Sequence, residues 1–335
     1  MKNASCLQTK RRWRYSLMLI LLASWALAHG QVVLDLATTY SGRNIHAESV
    51  REFATRVAEA TDDAVSIIVH EGGALGLRDE DHFPAVADGI VPLANVLMGA
   101  AAGADPLFGL STLPFLVRDF AEARLLHDIA RPFYEAAAER FDQKLLFTAP
   151  WPPSGIHARR PVLAYEDIRG LRVRTFDRNG TDVLNRAGAN AVVMSWGDVY
   201  PALATGTIDS VLTSAQSAVD ASFWEVLEHY TRVNFAIPLN MITINLDTWN
   251  SLSSDQQEAI MAVASELEQE RWQLAEAVMV ADEERLAAEG MTVVTEVDAD
   301  FAAALNADGA AIAQTWLSTV GTVGADILEQ FEAQR

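Results

Sequence analysis

The chain is 335 residues long, half of them hydrophobic, and carries 45 acidic against 25 basic residues, a formal net charge of −20. A surface of that sign repels nucleic acid and anionic lipid, and a single cysteine, Cys6, excludes a disulfide framework. If such a protein binds an anion, it needs a local cationic site to overcome its own field, so any inward-pointing arginine is informative.

Residues 1–30 read as an export signal to the periplasm. Lys10, Arg11, Arg12 and Arg14 precede an apolar run from Ser16 to Ala28, and the small residues Ala26, Ala28 and Gly30 mark the cleavage region. The run is short for a membrane span, and Cys6 leaves with it. Removing this segment takes away five basic residues and leaves 20 against 45, a net charge of −25, on about 305 residues. That length suits two lobes better than one core.

Val32 to Thr38 is expected as a strand feeding the loop Thr39 to Asn44, followed by a helix from His46 to Ala60, a strand from Val65 to Val69, a short helical piece from Pro84 to Asp88 and a strand from Gly89 to Val96. Tyr40, Ser41 and Asn95 then fall at strand ends facing one cleft. Asp119 caps a helix Phe120 to His127, and a second helix, Arg131 to Phe141, has Pro132 in its first turn. Lys144 to Phe147 is a strand running into Ala149 to Gly155, where three prolines and a glycine make a stiff crossover between lobes with Trp151 at the cleft's edge.

Gly170 to Asp220 is the most informative stretch. Leu171 to Phe176 alternates like a strand and places Arg174 at its carboxyl end. Thr181 to Ala187 is a helix, Ala191 to Met194 a strand, Ser195 to Asp198 a capping box opening the helix Val199 to Ala204, and Ile208 to Leu212 a third strand ending in Thr213 and Ser214. Strands alternating with short helices form a parallel sheet whose ligands bind beyond the strands' carboxyl ends. An arginine there suits a carboxylate because its planar fork donates two parallel hydrogen bonds; a surface ion pair explains it as well. Val233 to Ile237 returns to the first lobe, Leu239 to Asn245 is a strand carrying Asn240 at the second crossing, and Ser253 and Ser254 cap a long helix to Glu289 with an apolar stripe at Ile260, Val263, Leu267, Leu274, Val278 and Ala281. Met291 to Val297 is a strand, and the chain is mostly helical from Phe301 onward.

The wording Gly170-Leu-Arg-Val-Arg174, Gly188-Ala-Asn-Ala-Val-Val-Met194, Asp198-Val-Tyr-Pro-Ala-Leu-Ala-Thr-Gly-Thr-Ile-Asp209 and Leu246-Asp-Thr-Trp-Asn-Ser-Leu252 resembles the DctP-type solute-binding proteins of TRAP transporters, with Leu113 to Asp119 and Ile168 to Gly170 fitting in order. The resemblance covers nearly all of the chain after the signal. It implies a bilobal periplasmic-binding-protein-like α/β fold, with two α/β lobes around a ligand cleft strapped by a long helix. It also implies that Arg174 holds a solute's carboxylate and that membrane permease subunits are partners. The lobes are expected at 31–150 plus about 240–272 and at 151–239 plus about 273–320, with 321–335 as a C-terminal tail.

Two departures bear on the ligand. Many members have a second arginine just before the segment matching His157 to Arg160, where this chain has Trp151-Pro-Pro-Ser154. The usual Gln-Glu-Asn after the third strand is replaced by Val211-Leu-Thr213 and Ser214. Both favour a monocarboxylate, a hydroxy, oxo or aryl acid, over a dicarboxylate or sialic acid. The expected ligand-binding residues are Arg174, Trp151, Thr213, Ser214 and Asn240, with Tyr40, Trp196, Phe176 and Asn95. No catalytic residue, metal or cofactor is expected: His70-Glu71 lacks the following histidine of a zinc-protease helix, and the cluster Gly72, Gly73 and Gly76 lacks the lysine of a phosphate loop. A monomer that binds no nucleic acid is expected. An ABC-type binding protein and a secreted bilobal enzyme acting on a small acid are the competing readings.

Overall fold

The structure is a computed structural model describing residues 31–335; the segment read as an export signal, with Cys6, lies outside the described residues. The strands in chain order are β1 (Val32–Ala37), β2 (Val65–His70), β3 (Leu93–Leu97), β4 (Gln143–Pro150), β5 (Ser154–Ala158), β6 (Arg172–Thr175), β7 (Asn190–Val193), β8 (Ser210–Ser214), β9 (His229–Thr231), β10 (Leu239–Asn245) and β11 (Thr292–Val294). They form two sheets, one in each lobe, ordered β2-β1-β3-β10-β4 and β11-β9-β5-β8-β6-β7.

Both sheets follow one plan. Three parallel strands come first, β2-β1-β3 in one lobe and β7-β6-β8 in the other, linked by helices that cover the faces. The next strand in each sheet, β10 or β5, lies antiparallel to this set because it arrives from the opposite lobe. Every residue of β3, β5, β8 and β10 is buried, as strands covered on both faces require. β10 sends Leu239 and Met241 into one core and Ile242 and Ile244 into another, the period of two expected of a strand. Gly155 is dictated by contact: a Cβ there would stand 2.5 Å from the Tyr230 ring and 2.6 Å from the Thr231 carbonyl oxygen.

The chain crosses between lobes from β4 to β5 and again from β9 to β10. The crossings run side by side and bond to each other: Trp151 N donates to Pro238 O at 2.8 Å, Ser154 N to Ala236 O at 3.0 Å and Phe235 N to Ser154 O at 2.9 Å. A third link is the 35-residue helix Ser254–Ala288, opened by a capping box in which Ser253 and Gln256 satisfy each other's backbone N–H groups. At about 1.5 Å per residue it is roughly 50 Å long. It packs on β4 and the helix Ile45–Ala60 of the first lobe, then on the helix Ala215–Asp220 and β11 of the second. Its buried face runs through Ile260, Ala264, Leu267, Trp272, Ala275, Glu283 and Leu286. Leu274 and Val278, expected on that stripe, lie at its edge, and Ala281 is exposed. The sequence pattern followed apolar identity, whereas the helical period selects Trp272 and Ala275.

Several local expectations change. Phe120–Glu139 is one helix through Pro132, because Leu126, Ala130, Tyr134 and Ala137 keep a continuous buried face on both sides of the proline and tertiary packing outweighs one lost backbone hydrogen bond. Ser195 precedes the helix Trp196–Ala204 but makes no side-chain cap; its hydroxyl donates across the cleft to Glu80 Oε2 at 2.8 Å. Residues 321–335, read above as a tail, contain the helix Thr322–Gln334, with Ile327 and Phe331 fully buried in a first-lobe core. Phe331→Ala is expected to lower the stability of the whole chain by about 3–5 kcal/mol, as large-to-small core substitutions do, measured as a shift of the urea unfolding midpoint.

Candidate ligand-binding site between the lobes

β6 lies between β7 and β8 and brings Arg174 to its carboxyl end, opposite Val192 on one side and Val211 on the other. The side chain is 3 % exposed. Its Nε donates to the Met194 carbonyl at 2.8 Å, and its Cζ stands 5.7 Å from the centroid of the Trp196 ring, within range of a cation–π attraction. These contacts fix the guanidinium plane while leaving Nη1 and Nη2 without a protein acceptor. Among the described residues no carboxylate oxygen lies within 4.0 Å of it. Burial pulls its pKa down from the usual arginine value, opposed by the nearby carboxyl groups of Asp79 and, more weakly, Asp177. A buried, unpaired cation of this kind favours an incoming anion.

The guanidinium enters a small cavity between the lobes, partly open to solvent. Trp151, Phe176 and Trp196 supply its aromatic wall, with Tyr40 contributed by the first lobe; Thr213 and Ser214 line it at the end of β8. Seven of the nine expected residues are thus brought together. Asn240 and Asn95 are not: they stand behind the wall and hold it. Trp151 Nε1 donates to Asn240 Oδ1 at 2.8 Å, and Asn240 Nδ2 donates to Asn95 Oδ1 at 2.7 Å. Their amides are consumed by this chain because both residues are fully buried in adjacent strands and must find partners there.

The register of β5 against β8 pairs Ser154 with Ser214 and Gly155 with Thr213, so Ser154 also reaches the cavity, as does Ser217. Ser214 Oγ caps the following short helix by accepting Ser217 N at 3.2 Å, which leaves Thr213 and Ser154 as the hydroxyls without a protein partner. Neither Ser154 nor Ser217 was singled out from sequence, and the residue most completely missed is Asp79. It sits in the charged run Arg78-Asp-Glu-Asp81, which reads as a solvated loop, yet it is 8 % exposed and lines the cavity.

Closure is visible in the contacts across the cleft. Asp79 Oδ2 accepts Trp196 N at 2.8 Å, Arg78 pairs with Asp198 at 2.6 Å, and Asn44 Nδ2 donates to Asp220 Oδ2 at 2.7 Å. Behind Trp151, His46 packs against its ring in a tilted arrangement at 4.1 Å between centroids. Neither His46 nitrogen has a partner, and burial, with a smaller contribution from Arg271, holds its pKa down to about 3. Burial raises Asp177, the cap of the helix Arg178–Arg186, to about 6.

A bilobal α/β chain with a lone buried guanidinium in its cleft has the layout of a solute receptor, and the model of bacterial extracellular solute-binding protein family 7 (DctP) matches residues 36–316. The chain belongs to the DctP family. DctP proteins are extracytoplasmic receptors that bind small carboxylates and work with TRAP permeases in the membrane. A solute-binding protein of Chromohalobacter salexigens is 27 % identical over 275 residues, 78 % of this chain and 80 % of that protein. Among solved structures, a marine metagenome TRAP solute-binding protein specific for pyroglutamate is 27 % identical with a TM-score of 0.88, covering 91 % of this chain and 100 % of that one. DctP7 of Bordetella pertussis, a receptor binding pyroglutamic acid, is 28 % identical with a TM-score of 0.87, covering 90 % and 99 %.

The folded pKa of His46 lies below its ordinary 6.5, so between about 3 and 6.5 the unfolded chain binds the extra proton and stability falls as pH falls through that window. His46→Phe, which removes this proton, is expected to flatten the loss relative to the parent by up to about 1.4 kcal/mol per pH unit. Urea unfolding at a series of pH values gives the difference curve directly, and the opposing contribution of Asp177 cancels from it.

Proposed function

We propose that this DctP protein captures a small monocarboxylate in the periplasm, with Arg174 gripping the carboxylate, and passes it as a monomer to a TRAP permease, residues 1–30 acting as its export signal. The observation that carries the reading is the buried guanidinium with two free terminal amines and no protein counter-ion, aimed into an interlobe cavity. Arg174 is the sole cation among the residues that line the cavity, which favours one carboxylate over two. Thr213 and Ser154 offer hydroxyls for a hydroxy or oxo group, and Trp151, Trp196 and Phe176 cover an apolar or ring-shaped body. Pyroglutamate, the ligand named for the two solved relatives above, is a compact acid of this kind.

The protein acts by binding, not turnover. The receptors of its family set that expectation, and Ser214 and Ser217, the paired hydroxyls at the cavity, are engaged with each other at 3.1 Å rather than with a base. Solute shifts an open-closed equilibrium because it touches both lobes only when they are shut.

Arg174→Ala is expected to weaken binding of any accepted acid by about 100-fold or more, since it removes a bidentate charged contact. The melting temperature of the empty protein should change little. Titration calorimetry on the parent and the variant decides it, and a variant that keeps its affinity removes the assignment. A thermal-shift screen over small organic acids should show stabilisation by monocarboxylates of roughly 2.7 kcal/mol at about 100 times Kd, with dicarboxylates of similar size giving smaller shifts.

A further inference from the structure

We infer that Asp79 is the second recognition group of this cavity and that the site selects acids carrying a hydrogen-bond donor, an N–H or O–H, beside the carboxylate. The inference rests on the role of Arg174 proposed above and deepens it.

Asp79 belongs to the first lobe, in the short turn Asp79–Asp81 between β2 and β3, whereas Arg174 belongs to the second. Both are buried and both line the same cavity. Opposite charges in a poorly hydrated space attract strongly, yet no oxygen of Asp79 comes within 4.0 Å of a guanidinium nitrogen. Each charge is held back by its own anchor. Arg174 Nε is fixed on Met194 O at 2.8 Å, and Asp79 Oδ2 on Trp196 N at 2.8 Å. Asp79 Oδ1 has no protein donor among the described residues. The cavity therefore contains a held-apart ion pair with two free donors on one side and a free acceptor on the other.

A guest carboxylate seated on Arg174 brings a second negative charge into this space. If the guest has no donor, Asp79 stays unpaired beside an anion. If it is a dicarboxylate, the far carboxylate meets Asp79 directly. An acid with a ring N–H or an adjacent hydroxyl satisfies both ends at once, and the contact to a charged acceptor is among the stronger hydrogen bonds a site offers. A site built to accept a hydrogen bond rejects an isostere lacking it more sharply than an apolar pocket rejects a methylene.

The same geometry ties ligand chemistry to closure. Asp79 is the middle of three consecutive residues that hold the second lobe: Arg78 pairs with Asp198, Asp79 accepts Trp196 N, and Glu80 accepts from Ser195 Oγ. A guest joining Arg174 to Asp79 adds a bridge between the lobes at the point where they are already clasped. An acid held by Arg174 alone gains nothing from that bridge.

The test compares matched guests by titration calorimetry on the mature protein. The first pair is pyroglutamate and its lactone counterpart, in which a ring oxygen replaces the N–H; the second is a 2-hydroxy acid and its deoxy analogue. The parent should prefer the donor-bearing member of the better-bound pair by about 30-fold, the worth of a hydrogen bond to a charged group. Asp79→Asn keeps an acceptor oxygen for Trp196 N–H and should bring the preference within about 3-fold or invert it, while its melting temperature reports that the fold is intact. Equal affinities within each pair in the parent, an unchanged ratio in Asp79→Asn, or tighter binding of the donor-free members overturns the inference. Arg174→Ala should lose both members of a pair alike, so a failure at Arg174 and a failure at Asp79 give different results.

Discussion

A guanidinium removed from water and given no counter-ion is the constraint around which this molecule is arranged. Arg174 is tolerated because one nitrogen is tied to a backbone carbonyl and an aromatic face lies over the plane, while the remaining donors look into a space that a guest can fill. Short of a guest, the charge is under-compensated. On the proposed reading that imbalance is the source of affinity, and the rings of Trp151, Phe176 and Trp196 flank the space into which the cation points. The overall acidity of the chain works in the same direction. The net negative charge disfavours an anion in general, and Arg174 is the one cation that the cavity lining sets against it.

The lobes supply the other half. Their matching strand orders place two sets of strand carboxyl ends face to face, and the crossings at residues 151–153 and 232–238 deliver to each sheet the strand antiparallel to its parallel set, β5 in the second lobe and β10 in the first. Trp151, on the first crossing, therefore belongs both to the connection between the lobes and to the cavity wall. The chain of amides from Trp151 through Asn240 to Asn95 ties that wall to the central strands of the first lobe.

The alternation of strands and helices, the crossover and the position of Arg174 were legible in the sequence because each rests on local chemistry: periodicity, proline stiffness, and a cation at the end of a strand. Asn95 and Asn240 were placed on the right strands, Asn95 at an end rather than mid-strand, but not in the layer behind the wall, since a period of two assigns a side chain to a face and says nothing about whether a cavity or a partner amide lies there. Asp79 was invisible because its neighbours Arg78, Glu80 and Asp81 share its polarity, and only the fold distinguishes the one that turns inward. Pro132 misled for the opposite reason: its local rule is sound, yet the buried face running from Leu126 to Ala137 overrides it. The terminal helix was read as helical but not as structural, since the burial of Ile327 and Phe331 depends on a surface formed some two hundred residues earlier.

The paired crossings have a mechanical corollary. Two strips of backbone bonded edge to edge resist sliding past each other, and the three prolines at 152, 153 and 238 remove much of their torsional freedom. If the lobes open and close as proposed, this leaves rotation about a single line, like a page turning on its binding. On the receptor reading proposed above, every capture event retraces the same arc, and a membrane partner meets one of two outlines, loaded or empty.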